Sequence, residues 1–309
     1  MNKSGLFING DKGYFNRFRS RIMFPIQDYR GNVIAFGGRI FNKDDHAKYQ
    51  NSPETPIYTK SNVLYGLHQN ADKIKNKKQI ILVEGYTDVI GLSQYGIGNA
   101  LATLGTATTE SHIKLIFQKA NELTFCFDAD NAGRKAAIRA LEICLPLIRQ
   151  NKSVKFLMLD KGSDPDTAVR EKGADGFRAI LKESITLDDM IIELCNSSFE
   201  IDSLTGKANA AEKAIHLVRQ IREGIYKDLV VEKIAKHYGV PTSNFSTGSA
   251  QVEKPRERKK STKAKRPTLV HQAIKILLHE PSLGIKLMPN DDLQFIDLKG
   301  IDILNEIIG

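Results

Sequence analysis

Cysteine is scarce in this chain. Cys126, Cys144 and Cys195 are scattered through apolar runs, and they form no CxxC pair or Cys/His cluster. Neither a disulfide framework nor a zinc site is therefore expected. No apolar run approaches the roughly 20 residues of a membrane span, and no signal-peptide pattern opens the chain. A cytoplasmic protein with no membrane partner is the expectation. A Gly-rich Walker loop is also missing, which argues against a P-loop ATPase. What remains is 309 residues, 41% hydrophobic and 26% charged, the composition of a globular protein with one large domain or two to three smaller ones.

The formal net charge of +9 is unevenly spread. Lys254 to Arg266 holds eight Lys or Arg against one Glu, so +7 lies there and +2 elsewhere. Pro255, Ser261, Thr262 and Pro267 flank or interrupt that run, which has no apolar period. It reads as a flexible, solvated tether that adds salt-sensitive attraction to phosphates.

Ile22–Gln27 and Val33–Phe41 read as strands joined by a hairpin across residues 28–32. Pro53 and Pro56 exclude a long helix from the irregular stretch 42–69. From residue 79 strands and helices alternate. Strands are expected near 79–84, 98–103, 122–128 and 154–159, and helices near 86–95, 109–119, 132–149 and 165–183. This alternation predicts a parallel sheet covered on both faces. Residues 186–243 switch to helical stripes: Leu187, Met190, Ile191 and Leu194; then Ala214, Leu217, Val218 and Ile221; then Leu229, Val230 and Ile234. They are expected to pack against one another.

Acidic residues stand at the strand tips. Glu84 closes Ile80-Ile81-Leu82-Val83, Asp128 and Asp130 follow Leu123–Phe127, and Asp164 and Asp166 follow Val154–Leu159. A parallel sheet puts these tips on one edge, where open α/β folds bind ligands. So many carboxylates cannot all stay ionised together without cations, which points to divalent metal. Oxygen ligands without Cys or His suit Mg²⁺, or Mn²⁺ as the alternative, and paired hard metals serve phosphoryl transfer. Gly85 is expected to permit the tight turn after Glu84. Asp88 suits both catalysis and stabilisation of a helix start. Asp128 and Asp130, two apart in extended chain, project to the same side. Asp164, Pro165 and Asp166 also satisfy the requirements of an N-cap and first turn. Arg39, after Gly37-Gly38 on a strand, is a candidate phosphate contact. Tyr49-Gln50-Asn51-Ser52 offers polar or stacking contacts to a single strand. His46, His68 and His112 are isolated, and Cys126 is expected in the core.

Glu84-Gly85 after a strand, with Asp128-x-Asp130 later in the array, resembles the Toprim domain of primases, topoisomerases and some nucleases. Phe24-Pro-Ile, Phe36-Gly-Gly-Arg39, Lys48-Tyr-Gln-Asn-Ser-Pro-Glu-Thr55 and Leu64-Tyr-Gly-Leu67 narrow the resemblance to the bacterial DnaG-type primases. Val83-Glu-Gly-Tyr86, Ala102-Thr-Leu-Gly-Thr106, Asp128-Ala-Asp-Asn-Ala-Gly-Arg134 and Asp164-Pro-Asp166 point the same way. The match runs closely over residues 14–180 and by pattern over 186–243.

The resemblance implies a Toprim-type parallel sheet flanked by helices, preceded by a partial mixed α+β subdomain and followed by a helical bundle. Expected boundaries are 1–70 for the partial subdomain, 71–183 for the Toprim metal-binding domain and 184–243 for the bundle. The basic linker then covers 244–267 and the start of a truncated helicase-binding domain 268–309. The implied activity is DNA-dependent synthesis of short RNA primers from ribonucleoside triphosphates on a single-stranded DNA template, with a replicative helicase as partner. Glu84, Asp128 and Asp130 are implied to hold the metals, and Asp164 and Asp166 to contribute; Asp88, from its place at the helix start, is counted with the catalytic set. Arg39, Lys48 and Lys60 are implied to contact nucleotide or template, and Asn51 of the polar run is expected beside them. Members of that family begin with a zinc ribbon that these cysteines cannot build, so a fragment is expected. Another Toprim enzyme, or a non-catalytic template- or helicase-binding piece, remains the alternative.

Overall fold

The computed structural model describes residues 4–11, 13–41 and 47–245, together with residue 279. The tether from residue 246 on and, residue 279 apart, the segment expected to start a helicase-binding domain lie outside these residues. So does His46.

A two-stranded antiparallel hairpin, β1 (Phe7–Gly10) and β2 (Gly13–Asn16), precedes a three-stranded antiparallel sheet. That sheet has the order β3 (Arg21–Gln27), β4 (Val33–Ile40), β5 (Tyr49–Asn51). Pro25 cannot donate to a ladder, and it sits in β3 at the edge of the sheet. The expected turn between β3 and β4 is built by Asp28, whose carboxylate accepts from the Arg30 and Asn32 amides at 2.8 and 2.9 Å.

The second sheet follows helix α1 (Ala71–Lys77). Its elements run β6 (Gln79–Val83), α2 (Tyr86–Gln94), β7 (Ala100–Ala102), α3 (Glu110–Lys119), β8 (Glu122–Phe127), α4 (Asn131–Cys144), β9 (Ser153–Met158), α5 (Pro165–Lys182) and β10 (Ile185–Thr186). The order is β10-β9-β8-β6-β7, with β6 to β9 parallel and β10 antiparallel to β9. The two-residue β10 had no signal in the sequence; pairing with β9 makes it a strand. Helix α5 was expected unbroken over 165–183, but Gly173 stands at φ 69° and ψ 178° and kinks it. Glycine reaches that conformation without a Cβ penalty.

Strand alternation sorts the core into two faces. Leu82, Phe125, Phe127 and Phe156 point to one face, where α3 and α4 pack; Phe125 stacks on Phe127 and Phe156 at centroid distances of 5.5 and 5.3 Å. Ile81, Val83, Cys126 and Leu157 point to the other, among residues of α2 and α5 and with Ile26 and Ala35 of the three-stranded sheet. All four apolar residues of Ile80–Val83 are buried, as a doubly covered parallel strand requires.

Helices α6 (Leu187–Ser198), α7 (Leu204–Arg219) and α8 (Ile225–Tyr238) complete the described fold. The stripes were expected to pack on one another. They do, α6 against α7 and α7 against α8, and Leu187, Ile191, Ala214, Val218 and Ile234 also belong to the same continuous core as Phe125 and Phe156. Leu229 departs from its expected stripe and is 59% exposed, while Val230 and Ile234 are buried. At 100° per residue the buried line of α8 is Val230, Ile234 and Tyr238, and Leu229 turns away from it. No helix among the described residues is long and apolar enough to cross a membrane.

Candidate metal and nucleotide site

The parallel strands β6, β8 and β9 end side by side, so Glu84, Asp128 and the Asp164 turn stand on one sheet edge. Each carboxylate has a local reason for its place. Asp88 lies in the first turn of α2 and accepts from the Gly85 amide at 3.1 Å. Gly85 itself is in ordinary extended backbone (φ −119°), so the turn does not need glycine for its dihedrals. What it supplies is room, since a Cβ there would stand 3.0 Å from Asp88 Oδ2. Asp130 caps α4, accepting from the Gly133 amide at 2.6 Å, and Asp164 caps α5, accepting from Thr167 at 2.7 Å. Asp166 accepts from Arg170 Nε at 2.8 Å and packs against α2 at Gly91, where any side chain would overlap it.

These groups feel one another. Burial, then Asp128 and Asp130, raises the Glu84 carboxyl above its ordinary value. Burial, then Asp164 and Asp130, raises Asp128. Asp88 is 8% exposed, and burial followed by Asp164 pushes it up to about 7 against the opposing Gly85 hydrogen bond. All six carboxylates therefore belong to one electrostatic set.

As they stand, no three His, Cys, Asp or Glu side chains among the described residues form a group that could hold a metal ion. The reason is visible in the geometry: Asp88, Asp130 and Asp164 turn toward amides at helix starts, and Asp166 turns toward Arg170. The donor set still suits a hard divalent cation. It is all oxygen, and burial and mutual repulsion raise three of its members, which a cation would reverse.

A cationic and aromatic wall adjoins this edge. Register pairs Arg39 on β4 with Tyr49 on β5. The Arg39 guanidinium and the Lys48 ammonium lie 5.4 and 5.6 Å from the Tyr49 ring centroid. Tyr49 meets Tyr86 edge to face at 5.6 Å, and Phe24 and Tyr65 pack on Tyr86 at 4.6 and 5.6 Å. Tyr86 begins α2 two residues after Glu84, so it ties the antiparallel sheet to the acidic edge. The sequence reading did not single out this residue; its one signal was its place beside Glu84-Gly85. Asn51 donates to the Leu104 carbonyl at 2.9 Å, while its Oδ1 and the Tyr86 hydroxyl find no hydrogen-bond partner among the described residues. Both lie against Gly37, where a Cβ would stand 2.8 Å from the Tyr86 ring and 3.0 Å from Asn51 Oδ1. Lys60 is placed differently. Its backbone is pinned, the amide donating to Glu54 at 3.0 Å and the carbonyl meeting His112 Nε2 at 3.0 Å, while its ammonium makes no ion pair among the described residues. His112 is fully buried by that contact and is structural. A cavity of about 280 Å³ opens beside Glu84, rimmed by Thr103, Thr106 and Thr108 over Phe125 and Phe127.

The carboxylate edge of the parallel sheet is thus walled by an antiparallel sheet that carries Arg39, with Lys48 immediately before β5. Three family descriptions match in chain order: DNA primase catalytic core, N-terminal domain, over residues 1–71; Toprim-like, over 81–169; and DnaB-helicase binding domain of primase, over 197–243. The DNA primase of Pseudomonas aeruginosa is 45% identical over 248 residues, covering 79% of this chain and 37% of that protein. A DNA primase domain structure from the same organism aligns with a TM-score of 0.74 at 44% identity, covering 79% of this chain and 77% of that one. A DnaG primase catalytic domain bound to single-stranded DNA aligns with a TM-score of 0.74 at 37% identity, covering 78% and 76%. The chain belongs to the DnaG-type DNA primase family. It spans less than half the length of the curated P. aeruginosa relative.

Proposed function

We propose that this chain carries out DNA-templated joining of ribonucleotides into short RNA primers, as a cytoplasmic component of replication. The observation that carries the reading is the electrostatically coupled set of Glu84, Asp128 and Asp130 on the sheet edge beside the Arg39, Lys48 and Tyr49 wall. Glu84, Asp128 and Asp130 would hold Mg²⁺, or Mn²⁺ in its place, with Asp164 and Asp166 contributing. When bound, such ions neutralise phosphate charge and lower the pKa of an attacking hydroxyl.

The chain's own residues do the rest. Arg39 and Lys48 offset the negative charge of a triphosphate, and the exposed Tyr49 ring gives a base or ribose a stacking surface. Asn51 is tied to the Leu104 carbonyl at the base of this wall, where nucleotide or template would pass, and the Lys60 ammonium, with no ion pair among the described residues, offers a further cation. Asp88, its carboxyl raised by burial, fixes the Gly85 amide behind Glu84. Single-stranded DNA is the template and ribonucleoside triphosphates are the substrates in this reading. The match over residues 197–243 supports a replicative helicase as partner.

The test is incorporation of labelled ribonucleotides on single-stranded DNA with Mg²⁺ or Mn²⁺, with Asp128→Ala as control. Short RNA products that vanish in the control are expected. Strand cleavage or relaxation without nucleotides would overturn the reading in favour of another Toprim activity, and absence of both would leave a binding role.

A further inference from the structure

The opposite edge of the parallel sheet carries a second concavity, of about 300 Å³. Leu67 and Ile74 form its apolar floor, Tyr29 stands on one side, and Lys75, Lys78 and Lys119 rim it, with Asp72 alongside. Lys78 immediately precedes β6 and Lys119 closes α3 just before β8. The site therefore lies at the beginnings of the strands whose far ends carry Glu84 and Asp128. At ~3.3 Å per residue, the six steps from Lys78 to Glu84 put roughly 20 Å between them.

Two observations separate this rim from a scatter of solvated lysines. First, none of the three lysines makes an ion pair among the described residues. A cation near a helix C-terminus offsets the macrodipole, a role Lys75 and Lys78 fill at the end of α1, but at the end of α3 Lys152 already fills it and Lys119 is surplus. Its ammonium donates to the Phe117 and Ala120 carbonyls at 2.6 and 2.9 Å. Burial and then Lys78 hold the Lys152 ammonium below its ordinary pKa, so Lys78 and Lys119 add to a region already positive. Second, the aromatic ring is presented and fixed. Tyr29 is 63% exposed, the Arg30 guanidinium lies 5.2 Å from its centroid, and Arg30 Nε donates to its hydroxyl at 2.8 Å. The turn that carries it is locked by Asp28 and rests on residues before α1, where Gln69 donates to Gln27 at 2.6 Å.

We propose that this concavity binds one nucleotide unit, its base stacked on Tyr29 and its phosphate among Lys75, Lys78 and Lys119. An apolar floor, one aromatic face and a cationic rim are what a base, a ribose and a phosphate require. The volume is at the small end for ligand sites, enough for one unit and no more. Among the described residues Asp72 is the one carboxylate that lines it, so the site is assigned binding and no chemistry. The unit is either a free nucleoside triphosphate or one residue of a single strand passing behind the sheet. The inference stands apart from the proposed polymerisation, because it uses none of the residues of the acidic edge.

The test is equilibrium binding in EDTA, which silences metal-dependent binding elsewhere, with ATP and a labelled oligothymidylate as separate probes. The proteins are the full chain, its Lys75→Gln/Lys78→Gln/Lys119→Gln variant, Tyr29→Ala and Tyr29→Phe. These side chains are exposed, so the variants keep the fold. The triple variant is expected to bind one probe about tenfold more weakly. If that probe is the strand, the slope of log K against log salt falls by about 2, near 0.7 per lysine. Tyr29→Ala is expected to weaken the same probe and Tyr29→Phe to retain it, because stacking needs the ring and not the hydroxyl. Loss confined to ATP assigns a free-nucleotide site, and loss confined to the strand assigns a strand path. Undiminished binding of both probes by the triple variant overturns the proposal. So does a triple-variant loss that Tyr29→Ala fails to reproduce, which would leave only a phosphate patch.

Discussion

Replacing Asp88 by asparagine should make the protein more stable, and increasingly so as pH rises. Asp88 is buried, and its carboxyl is pushed from the ordinary 3.8 up to about 7 by burial, Asp164, Asp128 and Asp166. The native state thus holds this proton more tightly than the unfolded chain does. Below about pH 4 the group is protonated in both states and costs nothing. Between there and about pH 7 the unfolded chain releases the proton first, so stability falls as pH rises. Above that range the full cost is present, roughly 4 kcal/mol at 1.36 kcal/mol per pKa unit. Asparagine removes the charge but keeps an oxygen for the Gly85 amide. The variant's advantage over the wild type should therefore grow by roughly 3 kcal/mol between about pH 5 and about pH 8. Urea unfolding in EDTA at both pH values measures it. Adding Mg²⁺ should restore the wild type at the higher pH and do little for the variant. An advantage that is flat with pH, or that shrinks, would refute the placement of a raised, buried carboxylate at this position.

Gly133→Ala should unfold the protein more easily by about 2–3 kcal/mol and weaken Mg²⁺-dependent thermal stabilisation, because a Cβ there would overlap the Asp128 carbonyl; an unchanged melting temperature would contradict that contact. Phe125→Ala should cost about 3–5 kcal/mol, since the ring is fully buried between Phe127 and Phe156, and a loss below about 1 kcal/mol in urea would be inconsistent with it. Tyr86→Phe should be neutral or stabilising by up to about 1 kcal/mol, because the hydroxyl is buried without a partner among the described residues while the ring keeps its packing on Phe24 and Tyr65. Activity lost in a Tyr86→Phe protein of unchanged stability would instead assign that hydroxyl to substrate.

Much of the acidic edge was legible because its signals are local. An apolar run followed by Glu84, or Asp164 followed by Pro165, marks a strand end or a helix cap within a few residues. The wall opposite was less legible. Arg39 followed a pair of glycines, but Lys48 and Lys60 have no distinguishing neighbourhood and came only from family resemblance. Tyr86 as the joint between two sheets has no sequence signature, since its partners Phe24, Tyr49 and Tyr65 come from three separate segments.

The sequence by itself determined the alternation of strands and helices, the hairpin of β3 and β4, and which carboxylates close the parallel strands. Periodicity, turn residues and caps act over a few residues, so they can be read in order along the chain. Tertiary structure alone decided the strand order, the pairing of β10, the kink of α5 at Gly173 and the merging of the helical bundle with one face of the sheet. It also decided that Asp88 is buried with a raised carboxyl while Lys75, Lys78 and Lys119 gather around Tyr29 at the opposite edge. Burial and charge crowding depend on residues brought together from distant parts of the chain, and no local pattern records them.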